Sequence, residues 1–215
     1  MRVVFTGHAN GSKGTGNYSR PGINGRGGRS QRCFSNPSVV TPLSSIQVAT
    51  LANLAVIRQG IALLSPLGEA RFTARIPICF DASIGGHVRH IVEHYQSFLR
   101  GLDEGKFDYE HRPRDASIEG NAAVAVAALE DICVRLRAAG ATLPNRGLPL
   151  CAETTAGELT GTSVLRELEF LLSHTIHHYA LVAVMARLQG CEPEATFGVA
   201  PSTLKFQQSQ AACAR

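Results

Sequence analysis

Six of the eight histidines in this 215-residue chain fall in two short windows. His174, His177 and His178 lie in Ser173-His174-Thr175-Ile176-His177-His178-Tyr179-Ala180, and His87, His90 and His94 lie in a stretch that begins at Ser83. On an α-helix, residues four apart project from one face about one turn apart. His174 and His178 can therefore bind a single cation together, while His177 points elsewhere. Imidazole is a ligand for zinc, iron, nickel and copper. Two histidines from the later window and one of His87, His90 or His94 would make a three-histidine site. Three protein ligands leave at least one coordination position open, which is the pattern of a catalytic centre rather than a purely structural one.

Other metal chemistries fit less well. A di-iron carboxylate centre needs Glu-x-x-His on two helices and further glutamates, and neither Glu93-His94 nor Glu167 has that spacing. The His-Glu-x-x-His of a metalloprotease is absent, because Thr175 stands where its general base would be. The six cysteines are scattered without a Cys-x-x-Cys pair, which also removes a covalent haem attachment. Glu93 and Glu167 are candidates for a base only because they share helices with the histidines.

Four helices are needed to hold these side chains, and the apolar periodicity supplies them. Helix A, capped by Ser44 or Ser45, runs through Ile46, Leu51, Leu54, Ile57, Ile61 and Leu64 and stops at Pro66-Leu67-Gly68. An extended linker over 72–80 leads to helix B, capped by Asp81 or Ser83, whose seam is Ile84, Val88, Ile91, Tyr95 and Phe98. Gly85 and Gly86 in its first turn imply either close approach of a neighbour or a frayed end. A polar link over 101–116 carries the charge run from Asp108 to Asp115. There Arg112 and Arg114 either bind an anion or pair within the loop and fasten it to the helices.

Helix C spans about 117–139 and ends at Gly140. A short hairpin is expected around 148–159. Helix D is capped by Ser163 and continues to Leu188 before Gly190. The expected fold is therefore all-α, most simply a four-helix bundle.

Composition bounds the rest. With 44% apolar and 18% charged residues, one soluble domain with a full core is the expectation. The net charge of +4 is unevenly spread, since residues 1–40 carry six basic side chains and no acidic one, which leaves the remainder acidic overall. A folded part of that sign argues against direct nucleic-acid binding, which needs clustered positive charge. The Gly/Arg-rich segment 1–40 reads as a disordered tail, 41–204 as the folded domain and 205–215 as a loose end. The scattered cysteines and the lack of an apolar secretory core near the N-terminus suggest reduced thiols in a cytoplasm. No segment was expected to reach the roughly 20 apolar residues that span a bilayer.

The pairing of Ser83-Ile84-Gly85-Gly86-His87-Val88-Arg89-His90-Ile91 with His174-Thr175-Ile176-His177-His178 resembles the DinB-like superfamily of four-helix metal-binding bundles, over about residues 44–204. The resemblance implies His90, His174 and His178 as metal ligands, with His87 or His94 as rivals for the place of His90. It further implies a divalent ion such as zinc, nickel, iron or manganese, and a chemistry of thiol-dependent transferase or hydrolase type. A low-molecular-weight thiol partner and pairing into a homodimer are also implied. The other function class is a non-catalytic, stress-associated bundle whose metal only holds helices together.

Overall fold

The computed structural model describes residues 42–151 and 157–213. The chain divides into two units, Met1–Thr41 and Pro42–Arg215, and the segment read as a tail lies outside the described residues.

Helix α1 (Ser45–Leu64) starts at a capping box in which the Ser44 hydroxyl accepts from Gln47 N–H and the Gln47 side chain accepts from Ser44 N–H. Where an extended linker was expected, the chain makes a short helix α2 (Glu69–Thr73) and a 3₁₀ turn at Pro77–Cys79. A bridge between Ile76 and Ala82 closes the turn. Helix α3 (Ile84–Glu104) is capped by the Ser83 hydroxyl and stops at Gly105, which adopts φ 74°. It therefore extends into the region expected to be a polar link.

The expected helix C is two helices, α4 (Ala116–Gly120) and α5 (Ala122–Gly140). Asn121 separates them because its extended backbone lets its side chain accept from Val124 N–H and cap α5 afresh. Helix α6 (Val164–Leu188) begins at Ser163, whose hydroxyl accepts from Arg166 N–H. Helix α7 (Pro201–Cys213) crosses the 204/205 boundary expected from the sequence.

The all-α expectation is corrected, because a small three-stranded sheet accompanies the helices. Strand β2 (Gly147–Cys151) pairs antiparallel with β3 (Leu159–Ser163), with Leu150 opposite Thr160, and parallel with β1 (Phe107–Asp108). The expected hairpin thus exists, but its second strand starts at Leu159 and runs straight into α6.

The core lies between the long helices. α1 packs on α5 and α6, and α3 packs on the same two. Asn53 meets Leu168 and Gly60 meets Tyr179, so α1 and α6 run in the same direction. His87 meets His178 and His90 meets His174, so α3 runs against α6. By length and composition α1 would pass as a membrane span, which corrects the expectation that no segment comes near one. Its buried Thr50 and Asn53 and its packing on α5 and α6 are those of a core helix.

Two local devices fix how α3 sits. Gly85 is buried against the backbone carbonyl of Glu119 and the Phe72 ring, where a Cβ would not fit. Close approach, not fraying, is therefore the reason for glycine at that position. Across the core, Tyr95 O–H donates to Asn53 Oδ1 at 2.6 Å, Thr175 O–H donates to Tyr95 at 3.2 Å, and Asn53 Nδ2 donates to the Leu168 carbonyl at 3.0 Å. This buried chain ties α1, α3 and α6 together one residue away from His94 and His174.

Candidate metal centre

Helices α3 and α6 bring five of the six clustered histidines together. His90 Nε2 lies 3.2 Å from His174 Nε2, which lies 3.1 Å from His178 Nε2. Two imidazole nitrogens about 2.0–2.1 Å from one ion are separated by roughly 2.9 Å at a right angle and 3.4 Å at the tetrahedral angle. Both observed separations fall in that interval. His90, His94 and His174 also form a set whose ligand atoms all lie within 4.8 Å of one another. His177 is exposed, and its ring touches that of His178.

Two further histidine contacts orient these rings. The His94 Nδ1–H donates to the His90 carbonyl at 2.8 Å, which leaves His94 Nε2 with its lone pair free. His94 is also the most buried of the group, at 4% exposure, between Tyr109, stacked on it at 5.5 Å, and Phe170. His87 Nδ1 lies 2.9 Å from His178 Nδ1, so His87 stands behind His178 and leaves its Nε2 directed at His174. By the spacing of the seam Ile84, Val88, Ile91, Tyr95 and Phe98, His87 and His94 lie nearer the core of helix B than His90. The structure buries His94 and leaves His87 and His90 half-buried.

The electrostatics keep the cluster neutral. Burial is the largest cause in each case, reinforced by repulsion from neighbouring imidazoles or the Arg112 guanidinium, and at His94 partly opposed by its hydrogen bond to the His90 carbonyl. His90 is lowered to about 2, His178 to about 3, and His94 and His174 to about 4. His87 is also lowered, by burial and by His177. Neutral imidazole is the form that ligates metal.

The donor set fits a metal. Three Nε2 atoms converge at His174, and one shared hydrogen can satisfy only one of the two close nitrogen pairs. His174 Nδ1 is itself buried without a hydrogen-bond partner. A divalent ion accepting the free lone pairs resolves this crowding, and all-imidazole ligation suits zinc, nickel or iron.

The charge run of 108–115 is fastened to α3, as the loop-pairing alternative anticipated. Glu93, 1% exposed, accepts from Asp115 N–H at 2.9 Å and faces Arg89 at 3.6 Å and Arg112 at 3.8 Å. Arg89 also pairs with Glu119 at 2.9 Å. Asp108 accepts from the His111 ring at 2.9 Å. Glu167 is held by the Thr162 hydroxyl at 2.6 Å. Arg89 went unnoticed in the sequence, although its i, i+4 spacing to Glu93 was a usable signal. Tyr109 and Phe170, which wall in His94 and His174, gave no such signal, because loop-to-helix contacts leave no local period.

A cleft of about 350 Å³ is lined by His87, His90 and His178 together with Arg75, Arg89, Ser83, Gly86 and Glu119. The molecule is thus a largely helical protein with a histidine cluster between two antiparallel helices, beside a cleft open to solvent, and that cluster could hold a metal ion. The family model described as the DinB superfamily matches residues 56–182, more than half of the chain and all of the clustered histidines. This chain is a member of the DinB superfamily. No curated protein and no solved structure matches it.

Proposed function

We propose that this chain is a divalent-metal enzyme of transferase or hydrolase type, in which α1, α3, α5 and α6 act as a four-helix bundle that holds the ion on His90, His174 and His178. The observation that carries the reading is the pair of close Nε2 contacts to His174, from His90 at 3.2 Å and from His178 at 3.1 Å, beside a cleft that His90 and His178 line. When bound there, the ion would lower the pKa of a coordinated thiol or water and so supply a nucleophile near neutral pH.

The chain's own residues do the rest. His87 orients His178, the His90 carbonyl orients His94, and Tyr109 and Phe170 shield the inner side from water. His94 is the competing ligand, because its free Nε2 belongs to the close set with His90 and His174. His94 does not line the cleft, which favours His178 where an open coordination position must face substrate.

Metal content of the purified full chain tests this. Near-stoichiometric zinc, nickel, iron or manganese is expected in the wild type and in His94→Gln, and loss in His174→Ala and His178→Ala. Loss in His94→Gln with retention in His178→Ala would exchange the third ligand. No uptake of any of the four ions by the wild type would sink the enzyme reading.

One observation favours a non-catalytic site that only joins α3 to α6. Both buried carboxylates nearby are engaged, Glu93 with arginines and Glu167 with Thr162, so neither stands free as a base. Thiol-dependent conjugation assays separate the two readings, since a structural ion gives no turnover. The proposal extends to a low-molecular-weight thiol as co-substrate, a cytoplasmic setting that keeps the cysteines reduced, and a homodimer.

A further inference from the structure

The first turns of α3 are built around the side chain of Glu119. This residue of α4 is the one carboxylate among the described residues that line the histidine cleft. Gly85 admits its backbone carbonyl. Gly86 admits its side chain, with Oε1 3.6 Å and Cδ 3.8 Å from where a Gly86 Cβ would stand. Arg89 Nε lies 2.9 Å from the other oxygen, Oε2. Gly85, Gly86 and Arg89 thus hold this carboxylate against α3 beside His87 and His90, which line the same cleft.

Fastening α4 to the body does not require that carboxylate. Ile118 is buried in the core, Asp115 N–H donates to Glu93 at 2.9 Å, and Ala122 N–H donates to Glu69 at 3.1 Å. An ion pair whose acidic member is 34% exposed adds little to stability. Glu119 is not placed as a metal ligand either, because the close-set group of His90, His94 and His174 contains no carboxylate. Its Oε1 accepts no hydrogen bond among the described residues, so that oxygen is left to meet what the cleft holds.

We propose that Glu119 is the proton acceptor of the cleft. A ligand entering with an acidic O–H or S–H gives its proton to Glu119 Oε1 as its heteroatom reaches the histidine centre. The bond to hydrogen breaks, the electron pair stays on the heteroatom, and the carboxylate becomes a neutral acid that can pass the proton on to a leaving group. Arg89 is a positioning residue, since its pairing with Oε2 leaves Oε1 as the receiving oxygen. The inference rests on the metal reading above, and it supplies the base that the engaged Glu93 and Glu167 do not.

Acetohydroxamic acid is the probe, because it is neutral in water near neutral pH and binds a divalent ion as its anion, so one proton must go somewhere on binding. Full-length chain loaded with whichever of zinc, nickel, iron or manganese it takes up is titrated calorimetrically in two buffers of different ionisation enthalpy. The difference between the buffers counts the protons that reach solvent. The wild type is expected to release almost none. Glu119→Gln is expected to release about one per molecule bound and to bind about tenfold or more weakly. Glutamine is isosteric and its carbonyl can still accept from Arg89, so a purely structural Glu119 would leave the proton count unmoved. Glu119→Ala repeats the count in case the amide turns its nitrogen toward Arg89.

Release of one proton by the wild type, or the same count in the wild type and the variants, overturns the inference and leaves the metal reading standing. Loss of metal from the folded variants overturns it as well, because Glu119 would then be a ligand, and so does failure of the loaded wild type to bind the probe. A wild type that takes up none of the four ions overturns both readings.

Discussion

At the scale of single residues, the depressed histidines make a pH prediction. In the unfolded chain each imidazole titrates near 6.5. In the folded, metal-free chain His94 and His174 stay neutral down to about 4, His178 to about 3 and His90 to about 2. The unfolded state therefore binds more protons in the interval below 6.5, and folding stability falls as pH falls through it. Metal-free protein should show a Tm that is flat above about pH 7 and declines steadily from about 6.5 toward 4. His90→Gln should flatten that decline, as thermal scans in a pH series would reveal. An unchanged slope would mean that the imidazoles are not held neutral. Added metal should raise Tm at pH 7.5 and do progressively less as protons compete for the same nitrogens.

At the scale of elements, the centre depends on the register of α3 against α6, and two contacts away from it set that register. Tyr95→Phe removes the donor to Asn53 Oδ1 and the acceptor for Thr175, leaving buried polar groups unmatched at a cost of about 1–3 kcal/mol. Urea denaturation should register that loss, and metal affinity should weaken with it because His94 and His174 adjoin the altered pair. Full retention of both would show that the chain of hydrogen bonds is incidental.

Gly85→Ala forces a Cβ onto the Glu119 carbonyl, where backbone must move, and should cost about 1–3 kcal/mol. Gly86 meets only side-chain atoms, the nearest at 3.4 Å, so Gly86→Ala should be far milder in the same denaturation series, and equal costs would refute the close-approach argument.

At the scale of the whole molecule, the exposed apolar residues bear on assembly. Val48 and Leu51 stand on the outer side of α1 at 54% and 52% exposure, and Val134 on α5 at 64%. Scattered exposed apolar residues are common on monomers, so they permit the proposed homodimer without requiring it. Light scattering after size exclusion should give twice the chain mass, reverting to one chain mass in Val48→Glu/Leu51→Glu. A monomeric wild type removes the homodimer from the reading. The cleft residues come from α3, α4, α6 and the segment before α3 of one chain, so the metal content of such a monomeric variant should equal that of the wild type.

Much of the molecule was legible in the sequence. The cap at Ser163, the caps at Ser44 and Ser83 to within two candidates each, and the far ends of α1 and α6 followed from local signals, because capping and apolar period act within a few residues. The pairing of His174 with His178 on one face followed from helix geometry alone. Misjudged features are the break at Asn121, the extension of α3 to Glu104 and the addition of β1 to the hairpin. There the outcome hangs on a single cap or on pairing between strands distant in sequence, β1 with β2 above all. Tertiary structure alone decided which of His87, His90 and His94 meets which partner on α6, that Glu93 is sealed by arginines, and that Tyr109 and Phe170 enclose His94. A sequence period fixes the direction a side chain takes on its own helix. How far one helix slides along another, and which loop closes over them, is set by non-local packing that no local pattern encodes.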